Sequence, residues 1–133
     1  MNTDDVIAKE LEAFVKEYYR KFDSREPLEA FEYDFHWSDF LITSSSVRTT
    51  TKEEYASFYE EVIASFVDSS HLVSNFNITR ESDELINATC NVIFTAKQSS
   101  TLSPVEISGR LQFSFVPSPN NAFWTISRYL IGA

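Results

Sequence analysis

Phe14-Val15-Lys16-Glu17-Tyr18-Tyr19-Arg20-Lys21-Phe22-Asp23-Ser24 sets apolar and aromatic side chains at helical spacing and then stops. Followed back toward the N-terminus, the stripe reads Ile7, Leu11, Phe14, Val15, Tyr18 and Phe22. Gaps of three and four residues put these on one face, which predicts an amphipathic helix of about nineteen residues with that face against a core. Thr3, Asp4 and Asp5 suit its start, the first as a cap and the acids at the positive end of the helix dipole. Its end is expected near Asp23. Aromatic stripes of this kind mostly pack cores, and the distinctive part is Tyr18-Tyr19 followed by Phe22-Asp23-Ser24.

Beyond that helix, Pro27 predicts a second, short helix through Leu28, Ala30 and Phe31, since proline at a first helical position gives up no needed hydrogen bond. Phe35 to Thr43 is aromatic and β-branched and reads as a strand. Ser44 to Thr50 is polar and short, a hairpin or edge segment. Thr51 and Glu54 have the spacing of a capping box, so a third helix starts there. Tyr55, Phe58, Tyr59, Val62 and Phe66 form its apolar face, and Asp68-Ser69-Ser70 is read as its end. After His71 the apolar residues alternate: Phe76 and Ile78; Ile86, Ala88, Cys90, Val92 and Phe94; Ile107, Gly109, Leu111, Phe113 and Phe115. Period two marks half-buried antiparallel strands. Lys97 to Pro104 and Pro117 to Asn121 read as loops, and Trp124 to Ile131 as a last strand.

The expected fold is therefore α+β, with three N-terminal helices covering one face of a curved, antiparallel sheet. Residues 1–133 are expected to make one domain, a size that suffices for one core. Such a shape can enclose a pocket. Ile93, Val116, Phe123 and Ile131 oppose the main core register, which predicts a second apolar sheet face and a homodimer or heterodimer through it.

Composition narrows the partners. Twenty acidic against eleven basic residues give a net charge of -9, the wrong sign for binding a phosphate backbone or an anionic membrane directly. No apolar run approaches the roughly 20 residues of a membrane span. The acidic start, Met1-Asn2-Thr3-Asp4-Asp5, has no signal-peptide character, so an intracellular location, cytoplasmic or nuclear, is expected. Cys90 is the single cysteine and rules out an internal disulfide. Asn77-Ile78-Thr79 and Asn87-Ala88-Thr89 match the glycosylation pattern, but an intracellular chain does not meet that enzyme. With Gly109 and Gly132 as the only glycines, no phosphate-cradling loop or dinucleotide fingerprint can be built. His36 and His71 fall in unlike settings without further ligands nearby in sequence, so neither a metal nor a cofactor is expected.

The order of helix, short helix, strand, capped helix and meander resembles the nuclear transport factor 2-like superfamily across nearly the whole chain, and the resemblance implies that family's cone, three N-terminal helices packed on a strongly curved, mixed but mostly antiparallel sheet. Phe14-Val15-x-x-Tyr18-Tyr19-x-x-Phe22-Asp23-Ser24 is similar to the first helix of the branch that holds nuclear transport factor 2 and its small partner in mRNA export. The resemblance implies a non-catalytic interaction protein that works as a homodimer or as the small subunit of a heterodimer. It does not extend to binding the small GTPase Ran, because that loop of the family is acidic and Lys97 to Pro104 is not. The family's Asn-Asp pair before Phe-Arg is also missing from the last strand.

The superfamily also includes ketosteroid isomerases and polyketide cyclases, which implies the alternative: a cofactor-free protein or enzyme holding a small apolar ligand in a hydrophobic pocket. Phe35, Trp37, Asp39 and Leu41 would share the more apolar face of a strand, where desolvation makes a carboxyl group hold its proton and fits it for acid-base work. Asp39 also resembles, within a residue or so, the strand position of the base in ketosteroid isomerases. The competing reading puts Asp39 at the mouth of the cone or in a pair with Arg48, Arg110 or Arg128. Tyr18 and Tyr59 are the candidate hydrogen-bond donors to an oxyanion, unless they are core aromatics with satisfied hydroxyls. Tyr19, Trp37, Tyr55 and Cys90 are the candidate pocket residues, with Cys90 a small hydrophobe in its strand.

Overall fold

The computed structural model describes residues 3–119 and 123–132. Helix α1 (Thr3–Asp23) carries the predicted stripe, with Leu11, Val15, Tyr18 and Phe22 all buried. It ends in a Schellman motif. The amide of Glu26 bonds the Lys21 carbonyl and that of Arg25 bonds the Phe22 carbonyl, with Arg25 in the left-handed region at φ 57°. The guanidinium of Arg25 then reaches the carbonyl oxygen of Phe66. The side chain of Thr3, the expected cap, and Asn121, the end of the expected loop from Pro117, lie outside what the structure describes.

Among the described residues there are two α-helices where three were expected. The segment after Pro27 is a single 3-10 turn, Leu28–Phe31, with no side-chain cap. It is too short to propagate a helix, and it serves to bury Phe31 against Tyr18 and Tyr59. Helix α2 (Lys52–Ser65) starts in the capping box read from the sequence, with Thr51 accepting from the Glu54 amide and Glu54 reaching back to Thr51. Its end differs from the prediction. Phe66 already has extended backbone, so Asp68-Ser69-Ser70 belongs to a strand.

The sheet comprises β1 (Leu41–Thr43), β2 (Arg48–Thr49), β3 (Phe66–Ser82), β4 (Leu85–Gln98), β5 (Pro104–Pro117) and β6 (Trp124–Gly132). Their order is β2-β1-β6-β5-β4-β3, with β1 parallel to β6 and the other pairs antiparallel. The strand expected from Phe35 shrinks to β1 and a single bridge from Phe35 to Ile126. Trp37 to Asp39 form a turn instead, closed by the Asp39 amide on the His36 carbonyl. Trp37 is held there by its indole N–H on the Glu32 carbonyl at 2.8 Å.

Three irregularities bend β3 against β4, and such bulges increase local twist and curl a sheet. The concave face holds Ile86, Ala88, Cys90, Val92, Leu111, Phe113 and Phe115, all buried, with Phe115 against Phe14 of α1. The convex face is mainly polar: Asn87, Thr89 and Asn91 on β4 face Ser114, Gln112 and Arg110 on β5. Only part of the expected second apolar face exists. Ile93 and Val116 lie on the convex side. Ile131 does not, because a bulge on β6 pairs Ser114 with Arg128 and Phe115 with Ile126. Ser127 is the extra residue, and it switches the inward positions from Ile126 to Tyr129 and Ile131. Phe123 packs inward too, with its ring 5.6 Å from that of Phe14.

Candidate functional site

Between α1, α2 and the concave sheet lies a cavity of about 400 Å³. Aromatic and aliphatic side chains dominate its wall: Phe22 from α1, Phe58 and Val62 from α2, Phe66 at the start of β3, and Phe94, Leu111 and Ile131 from the sheet. Ser44, Ser45 and Ser46, in the hairpin between β1 and β2, add hydroxyl-bearing residues to the wall. Among the described lining residues the one titratable group besides tyrosine is His71. A neutral, mostly apolar occupant fits such a wall, since a charge would be desolvated without a counter-charge.

His71 is not alone. Its Nδ1 is 2.8 Å from Oδ1 of Asp23, its backbone amide donates to Oδ2 at 3.0 Å, and Ser69 Oγ donates to Oδ1 at 2.8 Å. Asp23 is the last residue of α1, where a carboxylate meets the negative end of the helix dipole and is disfavoured. Three hydrogen bonds offset that cost, an arrangement more expected of a site than of a scaffold. One helical turn earlier, Tyr19 stacks on the imidazole with ring centroids 4.2 Å apart and planes 9° from parallel. Tyr19 and Asp23 are four apart on α1 and so meet the same partner. Side-chain exposure of 13% for His71 and 18% for Asp23 keeps the pair largely out of water. A carboxylate can only accept, so Nδ1 carries the proton and the lone pair of a neutral His71 is on Nε2.

Two tyrosine pairs lie beside the dyad. Tyr18 and Tyr55 share a hydrogen bond of 2.8 Å, and the hydroxyls of Tyr19 and Tyr129 are bonded to each other. Burial, first of all, pushes Tyr18, Tyr19, Tyr55 and Tyr129 above the ordinary phenol range, so they act as neutral donors. A sign follows for stability. The folded state holds these protons more tightly than the unfolded chain, so their contribution is whole below about pH 10 and is lost as pH rises past it. Alkaline titration is expected to show phenolate absorbance from these residues appearing together with loss of the circular dichroism signal, in one cooperative step.

Of the residues proposed from sequence, Tyr18 and Tyr19 line this cavity. Tyr55 stands behind Tyr18 and is buried. Tyr59 spends its hydroxyl on the Glu26 carbonyl at 2.6 Å. Cys90 is buried in the concave face, with desolvation pushing its thiol up to about 11. Trp37 packs on Phe35, Phe40 and Tyr55, outside the cavity. Asp39 requires a correction: without the expected strand its carboxylate is 74% exposed, paired with Arg128 at 3.3 Å, beside a separate polar hollow that also includes His36 and Ser127. It is not desolvated. Sequence reasoning passed over Asp23 and His71, and the one signal for them was the Tyr19 and Asp23 spacing on α1.

No protein-family model matches this sequence, and no curated protein matches it. Solved structures do. A nuclear transport factor 2-like superfamily protein from Salmonella enterica serovar Typhimurium superposes with a TM-score of 0.87 over 98% of this chain and 93% of that one, at 14% identity. This chain has the nuclear transport factor 2-like fold. Other structures with this fold carry the names of enzymes. A candidate scytalone dehydratase from Novosphingobium aromaticivorans aligns at TM-score 0.84 and 18% identity, over 97% of this chain and 85% of that one. A hexachlorocyclohexane dehydrochlorinase from Novosphingobium barchaimii aligns at 0.77 and 14%, over 96% and 88%. At these identities the likeness is one of nuclear transport factor 2-like fold. Among the described residues of this chain, no helix is long and apolar enough to cross a membrane.

Proposed function

We propose that this protein is an enzyme that moves a proton within a neutral, ring-sized, mostly apolar compound, with His71 as the base, Asp23 as its orienting partner and the Tyr19-Tyr129 pair as hydrogen-bond donor. The observation that carries the reading is His71, held by Asp23, in the wall of a mostly apolar cavity. Two structures of the same fold are by name a dehydratase and a dehydrochlorinase, both eliminations, and this supports the class of reaction.

For a β-hydroxy ketone the step balances without a further reactant. Nε2 of His71 takes the proton from the carbon next to the carbonyl, and the tyrosine pair bonds the oxygen on which charge develops. The electron pair forms the new carbon-carbon double bond as the carbon-oxygen bond breaks. The departing hydroxide accepts the proton from His71 and leaves as water, returning the imidazole to its starting state. The interaction reading from the first helix loses two of its four residues, since Phe123 and Ile131 pack inward. The test is to incubate the protein with a panel of neutral cyclic β-hydroxy ketones and follow conjugated product by absorbance. Product is expected with the wild type; with none from any member, the elimination reading fails.

A further inference from the structure

Ser69 is a polar group beside the site that the proton transfer leaves without a role. Its hydroxyl is bonded to the carboxylate of Asp23 and not to the imidazole of His71, so the three residues do not form a nucleophile-base-acid triad. Ser69 shares Oδ1 with His71 Nδ1, while Oδ2 is taken by the His71 amide. The carboxylate is thus fixed at both oxygens. A terminal carboxylate torsion is otherwise broad and soft.

The backbone is shaped to deliver that hydroxyl. Between Val67 and Ser70 the pairing of β3 with β4 slips by one residue, and Asp68 takes the left-handed conformation at φ 53°. Such a residue at a bulge kinks its strand and re-aims the side chains after it. Here Ser69 and His71, two apart and so on one face, both reach the end of α1. The Asp68 carboxylate itself is 74% exposed, 3.6 Å from Lys97, and takes no part in the site.

We infer that Ser69 is a positioning residue: it holds Oδ1 of Asp23 in line with Nδ1 of His71, and so keeps the imidazole in the tautomer whose Nε2 can act as base. This rests on His71 being the base of the proposed reaction. Two effects of the hydroxyl oppose each other. Donation to Oδ1 draws charge from the oxygen that Nδ1 needs, whereas fixing the carboxylate keeps that oxygen in place. One neutral donor draws off little of a full charge, so fixing prevails.

The test needs no substrate. Nitrogen-15 NMR of the labelled protein reads the ratio of Nδ1-H to Nε2-H tautomer for His71. The wild type is expected to be dominated by Nδ1-H, and Ser69→Ala to lower the ratio about tenfold, the factor carried by one hydrogen bond. Ser69→Thr, which keeps the hydroxyl, should restore it. A ratio in Ser69→Ala that equals or exceeds the wild-type value overturns the inference, as does a wild type dominated by Nε2-H. Because the ratio is measured without turnover, a protein that eliminates nothing from the ketone panel but shows the fall would contradict only the reaction, and one that turns over without the fall would contradict only Ser69.

Discussion

His71→Asn is expected to lower kcat for any compound the wild type dehydrates by about 10²–10⁴-fold, the usual contribution of a positioned general base. The Michaelis constant should change far less, because the apolar wall that holds the substrate is untouched. The main-chain bond from residue 71 to Asp23 does not depend on the side chain, so the variant should still unfold cooperatively. Steady-state kinetics beside a melting curve checks both halves. A variant retaining most of the wild-type kcat would remove His71 from the chemistry whatever the cavity holds.

Phe113→Ala is expected to have the largest effect on stability. Phe113 is 1% exposed at the centre of the concave face, with its ring centroid 4.7 Å from that of Tyr129 and 5.7 Å from that of Phe115. Removing a buried phenylalanine takes away its transfer free energy and leaves a hole that strands on both sides hinder from closing, a loss of about 3–5 kcal/mol. For a chain of this length that lowers the melting temperature by about 10 °C or more. The same substitution frees the ring of Tyr129, so activity should fall at temperatures where the variant is still folded. Calorimetry with parallel assays separates the two losses, and a shift of only about 1 °C would show that the core closes over the gap.

Local periodicity carried the parts of the fold that one element decides by itself. The α1 stripe, the Thr51-Glu54 cap and the alternation of β4 and β5 all appear where the residues put them. Misreadings came where tertiary contacts outvote local pattern. Phe35 to Thr43 has strand composition, yet Trp37 finds Glu32 and the rings of Tyr55 and Phe40, and a turn results. Phe66 continues the α2 stripe at helical spacing, yet its ring meets Phe94 from the sheet at 5.2 Å, and the helix stops one residue earlier. Ile131 was placed outside by strict alternation, and a single extra residue at Ser127 reverses it.

The site was less legible for the same reason. Asp23 and His71 are 48 positions apart, and in the sequence each sits at what reads as an element's frayed end. They become a pair only because the Schellman turn stops α1 at Asp23 and the Asp68 bulge turns β3 toward it. Asp39, by contrast, was singled out from an alternation that the chain does not adopt.

The claim that this cavity is an active site with His71 as its base is tested most directly by proton exchange at carbon. Neutral cyclic ketones, incubated in deuterium oxide and followed by proton NMR, should lose the signal of the hydrogen next to the carbonyl in the presence of the wild type and keep it in the presence of His71→Asn. Equal rates of exchange with the two proteins would contradict the account.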